Sequence, residues 1–102
     1  MKPSVTIGAF EDNCCDIQLS KEDMEVFKLD TVDVLLEVRP KGDEYGVFYT
    51  AKGRQWDIWC RADDIDYQGG AAFAMRDPVQ AVRALLARKW RADFGFDPDD
   101  ED

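Results

Sequence analysis

The sequence predicts a single α+β domain: an antiparallel sheet of four or five strands, a C-terminal helix packed on one face, and a short helix near residues 21–28. Three observations lead to this. Apolar and polar residues alternate over 45–51 and 54–61 on either side of Lys52-Gly53, the length of a two-residue hairpin loop. The run from Thr31 to Arg39 is rich in β-branched residues and stops at Pro40-Lys41-Gly42. After Asp77-Pro78 the apolar positions switch to helical spacing. With 102 residues, two independent cores would each bury too little surface, so one core is expected.

Taken in order, Val5, Ile7 and Ala9 alternate with small or polar residues, as do Cys15, Ile17 and Leu19, giving two short strands around the turn Glu11-Asp12-Asn13. Ser20 is placed as a helix N-cap with Asp23 at N3, and Leu19 and Met24 stand at the two positions of a hydrophobic staple, so a helix over 21–28 follows. The Lys52-Gly53 loop sets Ala51 opposite Arg54. Tyr49 then faces Trp56, Val47 faces Ile58 and Tyr45 faces Cys60 on one side, the expected core face. On the other side Phe48 faces Asp57, Gly46 faces Trp59 and Thr50 faces Gln55.

The strand 31–39 has two possible placements. A five-residue loop from Pro40 to Glu44 puts Val34, Leu36 and Val38 beside Phe48 and Trp59, whereas a bulge at Gly42 or Gly46 moves them to the core face. The last helix, 78–93, starts at Asp77 as N-cap with Pro78 at its first position and Gln80 at N3. Its apolar stripe is Val79, Val82, Leu86 and Trp90, flanked by Leu85 and Ala87, and Gly95 is placed to end it. This stripe is expected to cross the face carrying Tyr49, Trp56 and Ile58. The domain spans 1–96, and residues 97–102 are expected to be an acidic disordered tail.

The charge of −9 is unevenly spread. Residues 1–75 hold 8 basic and 15 acidic groups, 76–92 hold 5 and 1, and 93–102 hold none and 6. An acidic body and tail thus flank one basic helix, and direct nucleic-acid binding is not expected, because phosphate contacts need clustered positive charge. Cys14, Cys15 and Cys60 read as reduced thiols, with Cys60 in the core. No apolar leader stretch follows Met1, and the longest run without charge is the nine residues from Tyr67 to Met75. A cytoplasmic protein without a membrane span is expected.

The residue types for catalysis are sparse. With no histidine, cysteine chemistry lacks its usual base, and three cysteines fall short of a zinc ligand set. No phosphate-binding glycine motif or nucleophile elbow occurs, so neither an enzyme nor a cofactor is expected. The run Asp63, Asp64, Asp66 fits a solvated turn better than an active-site pair, since paired carboxylates are usually gathered from separate elements. Among the helix cations, Arg88 and Arg91 point away from the apolar stripe while Arg83 flanks it, placed to pair with a sheet carboxylate.

The segment Gly70 to Gly95, with Asp77-Pro78-Val79-Gln80-Ala81-Val82-Arg83-Ala84-Leu85-Leu86-Ala87-Arg88-Lys89, resembles the endings of small bacteriophage and prophage proteins, in which a glycine-containing turn leads into such a helix start. The resemblance covers about a quarter of the chain and carries over no functional residue. It implies a phage accessory protein, a class that includes small acidic inhibitors such as the anti-CRISPR proteins. The expected function is inhibition of a host nucleic-acid-handling defence complex, in which acidic groups imitate nucleic acid in a basic groove. The alternative is an immunity protein or antitoxin that caps a basic nuclease. The partner is a basic host protein or ribonucleoprotein, and the candidate contact residues are Phe48, Asp57, Trp59, Asp63, Asp64 and Asp66.

Overall fold

The computed structural model describes residues 5–61 and 70–94, with side chains of the last helix described through residue 88. Its architecture is α+β. Five strands, β1 (Thr6–Ile7), β2 (Cys14–Gln18), β3 (Asp33–Arg39), β4 (Glu44–Ala51) and β5 (Arg54–Cys60), form an antiparallel meander in the order β1-β2-β3-β4-β5. Helix α1 (Lys21–Val26) lies between β2 and β3, and α2 (Ala71–Arg76) and α3 (Pro78–Phe94) follow the sheet.

The first hairpin turns at Asp12 and Asn13, both left-handed with φ of 51° and 66°, a backbone that Asp and Asn tolerate better than most residues. Glu11 and Cys14 exchange both backbone hydrogen bonds across it. Pairing then slips by one residue: Ile7 faces Ile17, whereas Glu11 faces Cys14, so the first strand carries one extra residue between them. This bulge explains why β1 is shorter than the alternation over 5–9 predicts. Val5 and Phe10 pack on the core, whereas Ile7, on the short edge strand, is left 46% exposed.

In α1 the Ser20 hydroxyl accepts from the Asp23 amide at 3.1 Å, as the capping pattern predicts. The helix stops two residues before the expected Lys28. Lys28 takes the left-handed conformation, and the Leu29 amide reaches back to the Met24 carbonyl, which closes a Schellman ending without glycine.

The β4–β5 register is the one the hairpin length predicts, with Lys52 and Gly53 both at positive φ. The connection before it differs. A 3₁₀ turn over Pro40–Gly42 and a left-handed Asp43 make a four-residue loop that pairs Arg39 with Glu44 and Leu36 with Val47. Five residues would have turned β3 over. Four place Val34, Leu36 and Val38 on the core face without a bulge, because side chains alternate with a period of two.

Helix α2 lies against β3 and β4, and α3 against β4 and β5. Ala71, Ala74, Ala81, Val82, Leu85 and Leu86 join Tyr45, Val47, Tyr49 and Cys60 in one buried cluster, with Trp56 and Ile58 partly buried against it. The buried stripe of α3 is thus turned toward Ala81 and Leu85, and Val79 is only half-buried. Trp90's side chain lies outside the described residues. Helix α2 was not foreseen from sequence: its N-terminal Gly70 offers no side-chain cap, and the Ala71 amide instead donates to Asp43 Oδ1 at 3.2 Å, from a turn 28 residues away. Among the described residues no helix is long and apolar enough to cross a membrane.

Candidate protein-binding face of the sheet

With the helices on the core face, the other face of the sheet carries no helix among the described residues. The strand registers arrange its side chains in rows that cross the strands. One row is Asp16, Leu35, Phe48 and Asp57, on β2 to β5 in turn, and the next is Cys14, Glu37, Gly46 and Trp59. Leu35, Phe48 and Trp59 are half-buried, and Asp16 and Asp57 are exposed.

Trp59 is the fixed point of this face. A Cβ at Gly46 would lie 2.5–2.6 Å from Cε2 and Cε3 of its ring, so only glycine on the paired strand lets the indole lie flat there. The indole N–H donates to Asp57 Oδ2 at 2.8 Å. Phe48 meets the ring edge-to-face with centroids 5.9 Å apart, and the Arg39 guanidinium stacks on it at 4.1 Å from the centroid.

Arg39 is held in turn by Glu37 at 3.1 Å and Glu44 at 3.3 Å, and Glu44 also meets Arg61 at 3.3 Å. The bond it donates to Glu37 is the main reason the guanidinium grips its proton even more tightly than usual. From α3, Arg88 donates to the Trp59 carbonyl, so this cation is half-buried and turned to the sheet instead of pointing away as its helical angle suggests.

Of the residues singled out from sequence, Phe48, Asp57 and Trp59 converge on this face. Asp63, Asp64 and Asp66 lie outside the described residues, as does the tail 97–102. Sequence reasoning missed Asp16, Leu35, Glu37, Arg39 and Glu44, which depend on registers set by the four-residue loop. The available signal was a glycine opposite a tryptophan, a pairing that lets a large ring lie over the facing strand.

Desolvation, with Glu37, Asp12 and Asp16 nearby, pushes the Cys14 thiol up, and burial followed by Asp16 pushes Cys15 up. Cys60 is buried in the core as expected. Among the described residues no group of three or more His, Cys, Asp or Glu side chains is placed to hold a metal ion.

A second concavity of about 430 Å³ lies between α1 and α3, lined by Asp23, Phe27, Arg83 and Ala84 among others. Arg83 crosses it to Asp23 Oδ1 at 2.6 Å, so its partner is a carboxylate of α1 and not one of the sheet. Comparison of the chain with family models, with curated proteins and with solved structures finds no match.

Proposed function

We propose that this protein is a phage-encoded binding protein that inhibits a basic, nucleic-acid-handling host defence complex, and that its open sheet face makes the contact. The observation that carries the reading is the Trp59 cluster: an indole already locked by Gly46, Asp57, Phe48 and Arg39 on a face that no helix among the described residues covers. A side chain ordered before binding loses little entropy on docking, and aromatic residues inside a charged rim are the usual anchors of protein interfaces. The net charge of −9 supplies long-range attraction to a basic groove that otherwise holds nucleic acid.

The experiment is capture of the partner from host lysate, followed by affinity measurements from about 50 to about 500 mM salt, a range over which the screening length falls several-fold. Affinity should fall steeply with salt, and Trp59→Ala should speed dissociation by at least about tenfold, the loss of a typical interface anchor. A partner without a basic groove, or a Trp59→Ala variant that binds as tightly as the parent, defeats the reading.

A further inference from the structure

The rows of the open face say more about what docks there than net charge does. Asp16, Leu35, Phe48 and Asp57 stand in one row across four adjacent strands. Neighbouring strands are about 4.8 Å apart, so the two aspartates bracket the Leu35–Phe48 pair at a separation of about 14 Å. Both are exposed, and neither forms an ion pair within the described residues. The carboxylate of Asp57 is fixed in place by the Trp59 indole.

The adjoining acids are already engaged. Glu37 and Glu44 are held by Arg39 and Arg61, so a cation arriving one row away meets two guanidiniums instead of a free carboxylate. The row through Phe48 is therefore where this face offers negative charge around an apolar centre.

We infer that this row receives an extended basic segment of the partner that runs across the strands, with Lys or Arg at positions i and i+4 and an apolar residue at i+2. The inference rests on the proposed binding role of this face. An extended chain rises about 3.3 Å per residue with alternate side chains on one side, so residues four apart stand about 13 Å apart and both point at the sheet. The residue midway between them falls over Leu35 and Phe48. A helix does not meet the same spacing: at about 1.5 Å per residue the span needs a step of about nine residues, and residue i+9 is turned about half a circle from residue i.

The test uses the full ¹⁵N-labelled chain and three acetylated, amidated nonapeptides flanked by Gly and Ser. Their cores are Arg-Ser-Leu-Ser-Arg, the rearranged Arg-Arg-Leu-Ser-Ser, and Arg-Ser-Ser-Ser-Arg without the apolar residue. The first peptide should shift amide resonances of β2 to β5 along the row and bind more tightly than either control. Asp16→Asn and Asp57→Asn should each weaken it by about two- to fivefold, the worth of one exposed ion pair, and abolish its advantage over the rearranged peptide. Both substitutions are isosteric at exposed positions, so the fold is retained.

Equal, salt-sensitive binding of the first and rearranged peptides at this face overturns the spacing and leaves the binding role of the face standing. Shifts confined to other parts of the chain for all three peptides overturn both.

Discussion

Replacing Gly46 with alanine tests whether the open face is built around one indole. The added methyl occupies the position of the Trp59 ring, and because the ring is half-buried it can swing outward instead of forcing the strands apart. Displacement forfeits the edge-to-face contact with Phe48, worth about 0.5–1.5 kcal/mol, and the stacking of Arg39, worth about 0.5–1 kcal/mol at an exposed site. The indole bond to Asp57 adds about 0.5–1 kcal/mol. Against these stands a gain of about 0.5–1 kcal/mol from replacing glycine in a strand. The net expectation is destabilisation by about 0.5–3 kcal/mol, read as a lower urea midpoint at unchanged slope. The control is the same substitution beside Trp59→Ala, where the methyl meets no ring and should be neutral or stabilising. A coupling near zero in this double-mutant cycle, or an unshifted Trp59 indole resonance in Gly46→Ala, refutes the packing argument.

Gly70→Ala should cost about 2–3 kcal/mol in thermal unfolding, because the new methyl meets the backbone of Asp43 as well as its side chain and the turn has no room to yield. A variant that melts with the parent would show that α2 is not seated on this turn. Arg83→Ala should cost about 1–3 kcal/mol, since it leaves the buried Asp23 carboxylate without its partner, and Asp23→Asn in the same background should recover part of the loss. Equal stability of the single and double variants would mean the ion pair is immaterial. Cys14 and Cys15 should alkylate slowly in the folded chain until the pH passes the ordinary thiol range, because burial raises both pKa values. For groups raised in the folded state the linked stability is intact below the unfolded thiol pKa, about 8.5, and is lost as pH rises toward the folded values. Unfolding at about pH 7 and about pH 10, compared with a Cys14→Ser, Cys15→Ala variant, measures it, and an equal change in both proteins removes the thiols as the cause.

What the sequence disclosed follows how local each determinant is. The β4–β5 register could be read because Lys52 and Gly53 form a two-residue loop whose length leaves one pairing, and both residues take positive φ. The starts of α1 and α3 could be read because Ser20 and Asp77 cap amides three residues on. The β3–β4 register could not. It turns on Asp43 taking a left-handed conformation, which shortens the loop by one residue and exchanges the two faces of β3. The same Asp43 caps α2 from 28 residues away, so one residue decides both the register that the sequence left open and the helix it did not foresee. At the candidate site, Phe48, Asp57 and Trp59 lie on strands of the readable hairpin. Asp16, Leu35, Glu37 and Arg39 lie on the other side of the loop whose register the sequence left open.

The fold also changes what the charge map means. Counted along the chain, α3 is a basic stripe between acidic regions, but Arg83 is turned to Asp23 and Arg88 to the Trp59 carbonyl. Those two cations hold α3 to α1 and to the edge of the sheet instead of forming a separate basic surface. On the open face, Arg39 and Arg61 likewise draw on Glu37 and Glu44, which leaves Asp16 and Asp57 as the carboxylates of the central row without an ion pair among the described residues. On the proposed reading, a partner would be attracted by the whole −9 field but held by few groups. Field and contact act on different rate constants: distant charges set the encounter, and the desolvated centre sets the lifetime. Removing acids away from the row should slow association and leave dissociation nearly unchanged, whereas Trp59 and Phe48 substitutions should do the reverse. If both kinds of variant altered the same rate constant, Trp59 would be part of the sheet's own packing and not the anchor of a contact.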